Sequence, residues 1–176
     1  MSSIGETNEY LTFILSGEEY AIEVSKIESV LEYTKITPLP GTDETIKGVI
    51  NLRGRALPVV DLRMILNLEV REVTLDTSIV VMFIESHGDI LTMGGLVDSV
   101  KEVIEIQPDN IQEAPKVGIR IKDTFIVGMA KKEDTFIIIL DIDKILNADQ
   151  MALAAEADLL ALPQEKNEAV ETVEGD

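Results

Sequence analysis

Ile46-Lys47-Gly48-Val49-Ile50-Asn51-Leu52-Arg53-Gly54, running on into Leu57-Pro58-Val59-Val60-Asp61-Leu62-Arg63, is the stretch that decides the fold class. In an extended chain Ile50 and Leu52 share one face, and Asn51 and Arg53 share the other. Gly54 turns the chain between two strands, predicted over 46–52 and 56–62. Pro58 has no N–H to give a ladder, which predicts an edge or a bulge there. Asp61 can cap a short helix over 62–66.

Working outward, period-two alternation recurs. Leu11, Phe13 and Leu15 alternate with Tyr10 and Thr12, Gly17 supplies a turn, and Tyr20, Ile22 and Val24 alternate again, so the chain opens on a hairpin. Ser25 and Glu28 have capping-box spacing. Ile27, Val30 and Leu31 follow at helical spacing, which predicts one or two helical turns. Residues 79–84 show no alternation, as expected of a strand covered on both faces. Further strands are predicted over 90–97, 103–106, 125–130 and 135–140. Gly94-Gly95 reads as a bulge or a close backbone approach. Residues 141–146 read as a helical turn. Asp149 can cap a second helix reaching Leu162, with Met151, Ala155, Leu159 and Leu162 near one face. Pro163 stops it, and 164–176 has too few apolar residues to pack, so disorder is expected there. About ten short strands with few helices indicate a mainly β protein of barrel type.

The 176 residues carry 15 Lys plus Arg against 33 Asp plus Glu, a net charge of -18. Without a cationic surplus there are no counterions to release from a phosphate backbone, which argues against nucleic acid as a partner. The absence of Trp and an aromatic share of 4% argue against a base-stacking platform. With no Cys there are no disulfides, thiolate metal sites or thiol catalysis. The opening residues lack the basic and apolar regions of a signal peptide, and no apolar run approaches the ~20 residues of a membrane span. A cytoplasmic protein with no direct membrane insertion is expected.

No catalytic constellation emerges. His87 stands alone in a turn and reads as a surface residue. Asp141 and Asp143 resemble the start of a calcium loop, but Ile145 occupies the fifth position and the required glycine is missing, so capping explains them better. The expectation is no enzyme, no cofactor and no metal. A ligand-binding β-barrel is the competing possibility, and it would need a cavity with convergent polar groups.

At this point the strand pattern meets a family. Residues 13–24, Phe-Ile-Leu-Ser-Gly-Glu-Glu-Tyr-Ala-Ile-Glu-Val, resemble the opening of the bacterial chemotaxis coupling proteins, the CheW-like family. The 46–54 and 57–63 stretches, Leu96-Val97-Asp98-Ser99-Val100 and residues 140–146 are similar to its later landmarks, in order. The resemblance spans about residues 9 to 155, with residues 9–150 as the coupling domain and 151–176 as a C-terminal helix and acidic tail. It implies a mainly β fold of two intertwined five-stranded, SH3-like barrel lobes around a shared apolar core, with short helices.

The resemblance also implies partners. Such proteins bridge the cytoplasmic tips of methyl-accepting chemoreceptors to the regulatory domain of the histidine kinase CheA, itself homologous to the adaptor. The output of such a pathway is flagellar, pilus-based or another response. A free monomer is expected. A related adaptor of the CheV type would need an added receiver of roughly a hundred residues, more than this chain has left. Carried over by motif, the receptor-facing residues are Ile27, Val30, Ile36 and Arg53. Those facing the kinase are Val97, Val100 and Val103, candidates near the edge of the second barrel, with core burial expected for at least one of them. Gly95 stands where the family usually has an apolar residue, which predicts a locally loosened strand.

Overall fold

A computed structural model describes residues 8–86, 88–115 and 125–146. Eleven strands and two short helices follow in chain order. The strands are β1 (Glu9–Leu15), β2 (Glu18–Glu23), β3 (Ile27–Glu32), β4 (Ile46–Leu52), β5 (Arg55–Asp61), β6 (Ser78–Ser86), β7 (Asp89–Val97), β8 (Ser99–Glu105), β9 (Ile111–Gln112), β10 (Ile126–Lys132) and β11 (Thr135–Leu140). Helix α1 (Leu62–Ile65) follows β5, and α2 (Ile142–Ile145) follows β11. His87, the predicted helix over 149–162 and the tail lie outside the described residues.

The strands form two sheets, each the wall of one lobe: a six-stranded sheet ordered β8-β1-β2-β11-β10-β9 and a five-stranded sheet ordered β3-β6-β7-β5-β4. The five-stranded lobe is one continuous stretch of chain. The six-stranded lobe is assembled from both ends, joined by the parallel pairing of β2 with β11. The chain therefore crosses between lobes twice, at the 3-10 turn Val24–Lys26 and at Asp98.

Both sheets are covered on both faces, as the unbroken apolar run at 79–84 requires. Val80, Met82 and Ile84 enter a shared core with Phe13, Ile22, Leu140 and Ile145 of the other lobe. Their neighbours Ile79 and Val81 turn into the five-stranded lobe's own core with Ile50, Leu57 and Val59. Ile137 and Ile139 do the same for the six-stranded lobe, with Ile106 and Ala130.

Closure of the five-stranded lobe comes from the chain after β3. Thr37 lies along the outer edge of β4 and exchanges two backbone bonds with Val49, at 2.8 and 2.9 Å. The approach is so close that a Cβ on Gly48, which has φ 141°, would stand 2.0 Å from the Thr37 carbonyl oxygen. Because Val49 spends its N–H and C=O on Thr37, it has neither to give to its β5 partner Pro58. Pro58 thus lies inside β5, an interior strand, rather than in the edge strand or bulge expected of it. Its missing donor falls where the β7 pairing has not yet begun, since that pairing starts at Val59.

Two other expectations are corrected. Residues 27–31 are not helical: after the 3-10 turn they form β3, paired with β6 from Ile27–Met82 to Glu32–Ser78. A bulge leaves Glu28 without a partner in the register, between Ile27–Met82 and Ser29–Val81. It shifts the phase of the pleat, so that Ile27 and Leu31 meet different cores. The resulting apolar spacing of three and four imitates a helix. Nor does Gly95 loosen its strand: Gly94 and Gly95 pair regularly with β5 and β6. A Cβ on Gly95 would stand 2.8 Å from the Met82 methyl and 3.0 Å from Leu62 Cδ1, so a larger residue would oblige these shared-core side chains to shift.

Both crossings are secured by charge. Arg63, the largest of the buried side chains among the described residues, makes a two-point contact with Asp61 at 2.9 Å through Nε and Nη2, while Nη1 donates to Asp98 at 2.6 Å and to the Arg71 carbonyl at 2.9 Å. The second Asp98 oxygen accepts the Ser16 amide in the β1–β2 turn at 2.6 Å. Burial works against the guanidinium charge, but the hydrogen bonds and charges of Asp61 and Asp98 outweigh it and hold its pKa above the ordinary value. At the other crossing Lys26 donates to Asp143 of α2 at 2.5 Å, and the second Asp143 oxygen accepts the Glu85 amide of β6 at 3.0 Å. Arg63→Met would leave Asp61 buried and uncompensated. We expect a loss of about 3–5 kcal/mol in denaturant unfolding; a loss under ~1 kcal/mol would show that the cluster is not structurally required.

Candidate functional site

The five-stranded lobe ends in the β4–β5 hairpin, whose two-residue turn is Arg53-Gly54. Both residues have positive φ, 53° and 84°, the twist that a right-handed hairpin requires. Gly54 adopts it freely, and its amide donates to the Asn51 side chain at 2.8 Å. Arg53 adopts it at a cost of about 1–2 kcal/mol, because its Cβ crowds the following carbonyl. Among the described residues no side-chain hydrogen bond or ion pair holds this exposed arginine. Strain at an exposed charged residue is the kind of outlier from which a functional role is argued.

The structure places the other expected receptor-facing residues unequally. Ile36 is half-buried against the lobe's own core cluster, which includes Leu52 beside Arg53. Val30 stands opposite Val80 on the shared-core face of β3, at the sheet edge, and is 42% exposed. Ile27 is half-buried against the shared core. A feature the sequence did not disclose links β3 to the hairpin: Arg55 Nη2 lies 3.5 Å from Glu28 Oε2. A groove of about 270 Å³ opens beside them, walled by Thr37, Val49, Ile50, Asn51, Gly54 and Arg55 among others.

The expected kinase-facing set divides. Val97 is fully buried in the shared core, so the expectation of an exposed contact there is corrected: it ends β7 opposite Ser78, under both sheets. Val100 is half-buried against the same core. Val103 is 53% exposed on β8, the edge strand of the six-stranded sheet.

Among the described residues no three His, Cys, Asp or Glu side chains converge to hold a metal ion. A cleft of about 650 Å³ in the six-stranded lobe is lined by Ile104, Ile106 and Ile137 together with the exposed Glu105, Asp109, Asn110 and Gln112. No described helix is long and apolar enough to cross a membrane.

A family model described as the CheW-like domain matches residues 9–150, which takes in both lobes and both crossings. The chain belongs to the CheW-like family. Chemotaxis protein CheW of Klebsiella aerogenes is 32% identical over 151 residues, covering 85% of this chain and 89% of that one. The CheW of Thermotoga maritima is 37% identical over 141 residues, covering 78% and 87%. Among solved structures, the scaffolding protein TtCheW from Thermoanaerobacter tengcongensis superposes with a TM-score of 0.70 at 32% identity, covering 81% of this chain and 94% of that one.

Within this CheW-like domain the strained turn is testable without any partner. Asn tolerates positive φ better than Arg, so Arg53→Asn should stabilise the fold by about 1 kcal/mol, or roughly 2–4 °C in Tm. A lowered Tm would mean that Arg53 makes a folded-state contact that outweighs its strain.

Proposed function

We propose that the protein is a non-catalytic adaptor that couples chemoreceptor cytoplasmic tips to the histidine kinase CheA in bacterial chemotaxis. The observation that carries this reading is the CheW-like match across both lobes, since an adaptor needs two surfaces held in one body. On the five-stranded lobe, Arg53, Val30 and Ile36 form the receptor side. Ile27 contributes by holding β3 in place. On the six-stranded lobe, β8 with Val103 and the half-buried Val100 forms the kinase side. The mechanism needs no bond to be made or broken: receptor state biases kinase activity through a coupling free energy between bound partners. Interfaces of this transient signalling kind bury on the order of 1,200 Å² and bind in the ~1–10 μM range.

The test separates the two sides. Arg53→Glu should weaken binding of a receptor cytoplasmic fragment by roughly 1.5–3 kcal/mol, the range for a hydrogen bond to a charged group, and leave CheA binding nearly unchanged. Equal loss of both partners, measured by calorimetry on the folded variant, would assign Arg53 a structural role and remove the receptor side from this location.

A further inference from the structure

The Glu28–Arg55 pair lies where two departures from regular geometry meet. Glu28 is the extra residue of the β3 bulge, the device by which a strand re-aims a side chain. Arg55 stands opposite Leu52 in the hairpin, so its stem shares a face with the lobe's own core, and its guanidinium reaches Glu28 across the mouth of the lobe. The pair is loose: 3.5 Å, with the arginine side chain 54% exposed and the glutamate 24%. Exposed pairs of this kind contribute only about 0.2–1 kcal/mol, so a competing carboxylate can displace one partner at little cost.

The surroundings say what that competitor would be. In a chain of net charge -18, the hairpin tip carries two arginines, Arg53 and Arg55, and no acidic residue lines the groove beside them. The groove wall is otherwise apolar or neutral, with Val49, Ile50, Ala56, Thr37 and Asn51. It suits a segment that lays an apolar face against the lobe and presents a carboxylate to the arginines.

We infer that Arg55 is a second cationic contact for a carboxylate on the docking receptor helix, and that Glu28 holds it in the free protein as an intramolecular competitor. This rests on the adaptor reading above and deepens its receptor side. Docking exchanges one ion pair for another: Arg55 leaves Glu28 for the receptor, and Glu28, at the mouth of the lobe, is left to water. Glu28 thereby tempers affinity and penalises partners that lack an acidic residue at that position.

A double-mutant cycle on the full chain tests this, with a soluble receptor cytoplasmic fragment as probe and CheA binding measured alongside. Glu28→Gln should tighten receptor binding about two- to fivefold, and Arg55→Gln should weaken it by a similar factor. The double variant should match Arg55→Gln alone, because Glu28 acts only through Arg55, and CheA binding should stay level in all. Arg55→Lys keeps the charge and should retain most of the response to Glu28→Gln. The proposal fails if Glu28→Gln tightens binding equally in the Arg55→Gln background, which is a general charge effect. It fails equally if Glu28→Gln weakens binding, which would make Glu28 itself a contact. A wild-type chain that binds CheA but no receptor fragment would overturn the adaptor reading, and this proposal with it.

Discussion

A buried arginine shared between two aspartates holds the crossing from one lobe to the other. Arg63 fills both oxygens of Asp61 on its own side and one of Asp98 at the crossing, and Asp98 spends its other oxygen on the Ser16 amide across the lobe boundary. Ions buried this deeply are costly to desolvate and are tolerated only when every partner is satisfied. The arrangement therefore has one solution: α1, the end of β7 and the β1–β2 turn must arrive together. Lys26 and Asp143 repeat the device, more exposed, at the other crossing.

The apolar packing follows from that registration. Because the chain enters and leaves the five-stranded lobe at two tied points, the sheets can face one another with alternate residues divided between a shared core and a private one. An adaptor depends on this: two surfaces on separately hinged lobes would transmit little, whereas one body fixes the geometry between partners. The surfaces proposed for the two partners sit at sheet margins, on the β4–β5 tip and on edge strand β8. There the chain tolerates positive φ at Arg53 and an exposed valine at 103.

Much of this was legible locally. The 46–52 strand has the predicted bounds, and the run at 79–84 announced a strand covered on both faces before either core was known. Asp61 caps α1 by accepting the Arg63 amide, as its position suggested. What was not legible is what depends on distant partners. The bulge at Glu28 imitated helical spacing because backbone pairing with β6, invisible locally, outweighs local propensity. Val97 resembled a surface valine near an edge, yet it lies where the two sheets meet. The Glu28–Arg55, Arg63–Asp98 and Lys26–Asp143 pairs join residues 27, 35 and 117 positions apart, and no local pattern announces such pairs.

The central claim is that the shared core and its two charged ties make both lobes one cooperative unit. Native-state hydrogen exchange tests it directly, because each lobe reports its own opening free energy. Amides of β6 in the five-stranded lobe and of β1 and β11 in the six-stranded lobe should exchange with the same highest free energy and the same denaturant dependence. If β6 and β7 open well below β1 and β11, or the reverse, the lobes unfold separately and the account is contradicted.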